Sequence, residues 1–298
     1  VADAGEEEFA IADGKPAFER RGEVIKADED PVLRGQPGDG VGGHGLVGEP
    51  VRPEVIHVGG LRNDAQVEAE IAHHAIVWAP RTLDAVAQAQ ALDAAEPGQG
   101  YTCYGTAQVP AAVVAAWAPG GVPSHYPDDL GIELLAGAPL IVQMHYNTLA
   151  GPGMADQTSI DLQVVEGGVT PARFVGLADL DLALPAGEDE VATTHVGKLG
   201  GGLDTPVRVH GVFPHMHTLG RDLSLERDDD GSCLISVPRY DFHWQLLYFY
   251  EQAVELPLDA MLSLRCSYDT SSREQTTFWG EGTMDEMCIV GLLVSAIE

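Results

Sequence analysis

His215 and His217 flank one methionine in the stretch Val212-Phe213-Pro214-His215-Met216-His217-Thr218-Leu219-Gly220. In an extended strand, residues i and i+2 face the same side. Both imidazoles can then reach one ion without distorting the backbone. Near the C-terminus, Met287 stands in Met284-Asp285-Glu286-Met287-Cys288. Two imidazoles and a thioether suit copper that cycles between Cu(I) and Cu(II), because soft sulfur favours the reduced ion. The condition is that the three side chains converge. A bare His-x-His pair also occurs on ordinary polar strand faces, and methionine usually fills core gaps. The setting of Met287 is less ordinary. Glu281, Asp285 and Glu286 precede it closely, and Cys288 follows at once, where a disulfide would help fix the thioether.

Other histidines offer a second set. His73 and His74 are adjacent in Ile71-Ala72-His73-His74-Ala75-Ile76. Adjacent strand residues point to opposite faces, so both reach one ion only where the strand ends or bulges. His145 closes the apolar run that begins at Leu140. His210 lies five residues before His215, on the opposite side of a regular strand, and becomes a rival ligand only if the chain bends at Pro214. His44, His57, His125 and His195 stand singly in turn-like or polar settings and read as surface or hydrogen-bonding residues. Gln143, Tyr146 and His243 are candidates for orienting the ligand imidazoles, with His243 read first as a structural strand residue. A hydrolytic zinc centre is disfavoured: it seldom uses a thioether, and no Glu stands in a His-Glu-x-x-His setting.

The elements that must hold these residues are mainly strands. Short apolar runs punctuated by Gly, Pro and Asp recur from about residue 51, as in 75–78, 140–146 and 263–268. That pattern predicts an all-β protein of sandwich type. Two helices are expected, over Thr82–Ala95 with a Pro97-Gly98 stop, and over Val109–Trp117 with Pro110 at an early position. A length of 298 residues allows two domains. The expected division is an irregular arm over 1–50 with one or two short strands, a domain over 51–170, and a domain over 171–298. The break is placed at Gly167-Gly168-Val169-Thr170-Pro171. A Gly-rich loop is expected at 197–202.

Sixteen Lys and Arg against 46 Asp and Glu leave a net charge of −30. Such an acidic surface repels phosphate backbones, so nucleic acid is excluded as a partner, and the charge reads as a solubility device. The apolar runs are too short to cross a membrane as a helix. Cys103, Cys233, Cys266 and Cys288 form no Cys-x-x-Cys pair. Four cysteines without metal spacing fit one or two disulfides in an oxidising compartment, with three connectivities open. The chain opens at Val1 with no leader segment, as a processed protein would. A secreted or periplasmic setting is the expectation.

Four segments, in order, resemble the copper type II ascorbate-dependent monooxygenases, the family of peptidylglycine α-hydroxylating and dopamine β-monooxygenases, and the bacterial members most. They are Ala72-His73-His74, Gln143-Met144-His145-Tyr146, Pro214-His215-Met216-His217-Thr218-Leu219-Gly220-Arg221 and Asp285-Glu286-Met287-Cys288. The resemblance implies two jelly-roll-like β-sandwich domains with one copper each, facing one another across an open, solvated cleft. His73, His74 and His145 would hold the copper that stores and passes an electron. His215, His217 and Met287 would hold the copper that binds O₂ and hydroxylates a C–H bond. The resemblance also implies a Cys266–Cys288 disulfide. Its implied partners are a small-molecule substrate, O₂ and an external one-electron reductant such as ascorbate. Peptide-amidating members carry Arg where this chain has Phe213, and Asn and Tyr where it has residues 289–291. The expected substrate is therefore a small organic molecule, more hydrophobic or aromatic, and not a glycine-extended peptide. The alternative is a non-catalytic copper-binding or structural protein on the same fold. Residues 1–60 match nothing in the family. Its usual cysteine upstream of the His-His pair is absent, which leaves the pairing of Cys103 and Cys233 open.

Overall fold

The computed structural model describes residues 72–97, 100–103, 105–118, 121, 125–127, 129–146, 159–160, 162–165, 168–282 and 284–297, with the strand backbones at 7–11, 24–25, 54–57 and 61–62. Its first half contains β1 (Glu7–Ile11), β2 (Val24–Ile25), β3 (Glu54–His57), β4 (Leu61–Arg62), β5 (Ala72–Pro80), α1 (Leu83–Ala95), β6 (Ala111–Trp117), β7 (Leu130–Leu134), β8 (Ile141–Tyr146), β9 (Ser159–Ile160) and β10 (Leu162–Val165). Its second half contains β11 (Thr170–Ala178), β12 (Ala183–Leu184), β13 (Val191–Gly197), β14 (Val207–His215), β15 (Gly220–Arg227), β16 (Cys233–Val237), β17 (Tyr248–Leu256), β18 (Leu262–Tyr268), β19 (Thr277–Phe278) and β20 (Ile289–Ala296). Among the described residues, the protein is all-β apart from one short helix.

Three sheets build the two cores. An eight-stranded sheet runs β17-β14-β20-β11-β7-β3-β10-β2. A four-stranded sheet, β1-β8-β5-β6, packs on one face of it through Ala75, Val77, Val114, Met144, Tyr126, Ile132, Ala172 and Leu293. A second, β13-β18-β15-β16, covers the opposite face through Val209, Val212, Leu225, Leu264, Leu292 and Val294. The long sheet thus belongs to both sandwiches, and the joint is a parallel pairing of β7 with β11.

Strand sequence explains this division. In β11, Ala172 and Phe174 face one core while Val175 and Leu177 face the other, as period-2 alternation requires. β20 lies between β14 and β11 and is apolar on both sides over 292–294, the continuous run expected of a strand buried on both faces. Its leucines each contribute roughly 1.5–3 kcal/mol by burial.

α1 forms as expected, with the Thr82 hydroxyl capping it by accepting the Ala85 N–H at 3.1 Å. The second helix does not form. Residues 111–117 are strand β6, antiparallel to β5, with Val114 as the extra residue of a bulge. Val113 and Val114 are β-branched, and edge pairing with β5 overrides the helical promise of the flanking alanines. Among the described residues of the arm are two strands, β1 and β2, and β1 pairs with β8.

Candidate metal centre

β14 carries His215 at its last residue. Beyond it, Met216 still turns into the core and is fully buried, so His217 returns to the side of His215. The Tyr240 hydroxyl fixes this step, donating to the Met216 carbonyl at 2.6 Å and accepting its N–H at 3.0 Å. Gly220 lies against the same methionine. A Cβ there would sit 2.9 Å from Met216 Cβ, which cannot swing away, so the close approach favours glycine. The two imidazoles end 5.3 Å apart between centroids and nearly perpendicular.

Their tautomers follow from their partners. The Gln245 amide nitrogen donates to the Phe242 carbonyl at 2.7 Å, which turns its oxygen toward His215 Nδ1 at 2.7 Å. His217 Nδ1 lies 3.0 Å from the Asp285 carbonyl, which can only accept. Both Nδ1 atoms therefore donate, and both Nε2 atoms keep a lone pair. Burial and the neighbouring His217 push the His215 pKa down to about 3. Burial lowers His217 too, against the upward pull of Asp285. Neutral imidazoles oriented through Nδ1 are the form that binds a transition metal.

Glu286 joins this pair to Met287. Its carboxylate is fully buried; Oε1 accepts the Leu219 N–H at 2.7 Å, and Oε2 accepts those of His217 at 2.9 Å and Met287 at 3.3 Å. One carboxylate oxygen thus holds the main chains of His217 and Met287. The Tyr268 hydroxyl donates to the Met287 carbonyl at 3.0 Å, and the Cys266–Cys288 disulfide anchors the next residue. That bond is the one the resemblance implied. Cys103 is buried beneath α1, while Cys233 is an exposed free thiol, so those two are not paired.

In the first half, His74 lies opposite His145 in the β5–β8 register, and their rings meet edge to face at 4.8 Å. The register slips between Ala72 and His74, which makes His73 the extra residue of a bulge. This is the backbone irregularity that adjacent histidine ligands require; the His73 and Tyr146 side chains lie outside the described residues. Burial, and then the charge of His217, push the His145 pKa down to about 4. The resemblance implied an open cleft, yet His145 and His217 are each only 3% exposed and sense one another.

Among the described residues, no three His, Cys, Asp or Glu side chains are grouped to hold a metal. His215 and His217 are only two such residues, since the third donor expected beside them, Met287, is a thioether, and in the other set the His73 side chain lies outside the described residues. His210 is the bulge residue of β14, bonded to Ser295 Oγ at 2.8 Å, and does not join the pair. Gln143 accepts the Trp78 indole N–H at 3.0 Å, and the His243 ring packs edge-on against Phe242. The residue that orients His215 is Gln245, which sequence reasoning missed. Glu286 was legible only as an acid beside Met287.

Residues 184–293 match the family described as copper type II ascorbate-dependent monooxygenase, C-terminal domain. The match spans His215, His217, Met287 and both disulfide cysteines, and leaves out His73, His74 and His145. The chain is 28% identical over 204 residues to DBH-like monooxygenase protein 1 of Mus musculus, covering 61% of this chain and 32% of that protein. It is 28% identical over 193 residues to tyramine beta-hydroxylase of Caenorhabditis briggsae, covering 59% and 33%. It is 28% identical over 197 residues to dopamine beta-hydroxylase of Bos taurus, covering 59% and 32%. The chain spans about a third of the length of these relatives.

Proposed function

We propose, from the match of residues 184–293 to the copper type II ascorbate-dependent monooxygenase family, that the chain hydroxylates a C–H bond of a small organic substrate, using O₂ and a one-electron reductant such as ascorbate. The observation that carries this reading is the pair of imidazoles on His215 and His217, each held through Nδ1 by Gln245 and the Asp285 carbonyl, with the main chain of Met287 held to that of His217 by the same Glu286 oxygen. His215, His217 and Met287 hold one copper, and His73, His74 and His145 hold the other. The halves 51–170 and 171–298 each carry one site. Bound copper supplies one-electron redox chemistry and O₂ activation.

The protein's own contribution is positional. Gln245 and the Asp285 carbonyl hold the Nδ1 protons, so neither imidazole turns its donor nitrogen away. Burial keeps His145 and His215 neutral down to about pH 4 and 3, so protons do not compete for these imidazoles near neutrality. The overall reaction consumes the substrate C–H, O₂, two electrons and two protons, and yields the alcohol and water. The two electrons arrive one at a time from the reductant. The disulfide fits an oxidising compartment, outside the cell or in a periplasm, and among the described residues no helix is long and apolar enough to cross a membrane.

Metal analysis of copper-reconstituted protein tests this reading, with two ions per chain expected. Met287→Ala should abolish hydroxylation and leave the three-histidine copper in place. A protein that cannot be loaded with copper would overturn the proposal. A loaded protein that consumes no O₂ with ascorbate across a broad substrate panel would establish the non-catalytic reading instead.

A further inference from the structure

A cavity of about 230 Å³ lies where the two halves meet, between the end of β6, the following segment and the start of β17. Trp117, Phe213, Leu247 and Phe249 line it, with Gln245 on one side and the exposed His125 on another. Two of these walls also touch His215. Phe213 stacks on His215, with rings 6.3 Å apart and 11° from parallel, and Gln245 is the hydrogen-bond partner of the same imidazole.

The lining is uncharged at the level of sequence. In a chain whose residues are 21% charged, residues 97–127, 209–220 and 242–250 contain no Asp, Glu, Lys or Arg. All three stretches contribute to the cavity. Two of its polar side chains, Trp117 and Gln245, are also engaged elsewhere. The Trp117 indole donates to the Gly121 carbonyl at 3.3 Å. The Gln245 amide nitrogen is bonded to the Phe242 carbonyl, and its oxygen to His215. A charged group entering here would lose its hydration with no opposite charge among the described lining residues, which is costly. An aromatic ring would gain stacking partners on Trp117, Phe213 and Phe249. The cavity's volume of about 230 Å³ exceeds the roughly 150 Å³ that accommodates benzene in an apolar cavity, so there is room for a ring with a short tail.

We propose that this cavity is the substrate-recognition site, and that it selects a neutral arene with a short uncharged side chain over an amine or a carboxylate of the same size. The proposal rests on the copper monooxygenase reading for the meaning of its position beside His215. Its binding chemistry does not need the metal.

The test uses three probes of matched shape: 2-phenylethanol, 2-phenylethylamine and phenylacetate. Each is titrated into copper-free and copper-loaded protein while tryptophan fluorescence is followed, with Trp117→Phe identifying the responding indole. The expected result is saturable binding of the alcohol at least tenfold tighter than either ion. Phe213→Ala should weaken the alcohol by tenfold or more, and Phe213→Lys should shift preference toward phenylacetate. Equal or tighter binding of either ion would overturn the proposal. So would no saturable binding of the alcohol to copper-loaded protein, or an unchanged affinity in Phe213→Ala. The expected selectivity in a protein that takes up no copper would keep this inference and overturn the metal reading, so the two failures are distinguishable.

Discussion

Replacing Glu286 by alanine strands three buried backbone donors at once: the N–H groups of His217, Leu219 and Met287. Each stranded donor costs roughly 1–3 kcal/mol, and the 3.3 Å contact to Met287 costs least, so the total comes to about 3–6 kcal/mol. Much of a typical domain's stability would be lost. A second effect runs the other way. Burial raises the Glu286 carboxyl pKa from 4.5 to about 7, while the three N–H groups and Arg273 pull it down. A folded pKa above the unfolded value favours the neutral form. The group's contribution is therefore full below pH 4.5 and is lost as pH rises through about 7, a change of ~3 kcal/mol. Glutamine keeps an oxygen for the two donors at Oε2, loses the one at Oε1 and never ionises. Glu286→Gln should cost only about 1–2 kcal/mol, and its deficit should shrink from pH 5.5 to pH 8. Urea unfolding read by tryptophan fluorescence measures both, since Trp279 bridges to Glu286. An alanine variant within 1 kcal/mol of wild type, or a glutamine variant as damaged as alanine, would refute the reasoning.

Three further outcomes are expected. Gln245→Ala removes the acceptor of the His215 Nδ1 proton, and copper affinity at that site should fall about 10–100-fold, measured by competitive chelator titration. Replacing Cys266 and Cys288 together by serine opens a link across a sequence separation of 22 and should cost about 3 kcal/mol, read as a lower urea midpoint with a somewhat steeper slope, because the unlinked unfolded chain exposes more surface. Burial raises the phenol pKa of Tyr101 and of Tyr250 to about 12. Raised pKa values mean stability that is present below pH 10 and lost as pH climbs through 12, so alkaline unfolding should coincide with phenolate absorbance. Free ionisation of all eight tyrosines near pH 10 in folded protein would contradict this.

Sequence reading reached the pairs formed by local geometry. His215 and His217 obey the i, i+2 rule, and the helix expected over Thr82–Ala95 forms as Leu83–Ala95. It stopped where partners are distant in the chain. Gln245 lies 30 residues from His215 and Glu286 lies 69 from His217, and no spacing rule joins them. The bulge at His73 was a stated requirement that the sequence could not supply, because register depends on β8. Residues 111–117 misled because alanine-rich segments suit a helix in isolation, and only pairing with β5 decides otherwise. The parallel β7–β11 joint was invisible for the same reason: it unites residues 130–132 with 170–172, while the composition break at 167–171 suggested separation.

That joint bears on how the protein can be divided. β11 begins before the matched region 184–293, yet supplies Val175 and Leu177 to the core around the His-Met-His segment. A fragment cut at residue 184 would lose that strand and leave one edge of β20 unpaired. It would also bare Leu293 and Phe249, which are covered by the first half. Exposed apolar edges of this kind invite aggregation. The two halves are therefore expected to melt in a single cooperative step, and neither is a spare part that recombination could move alone.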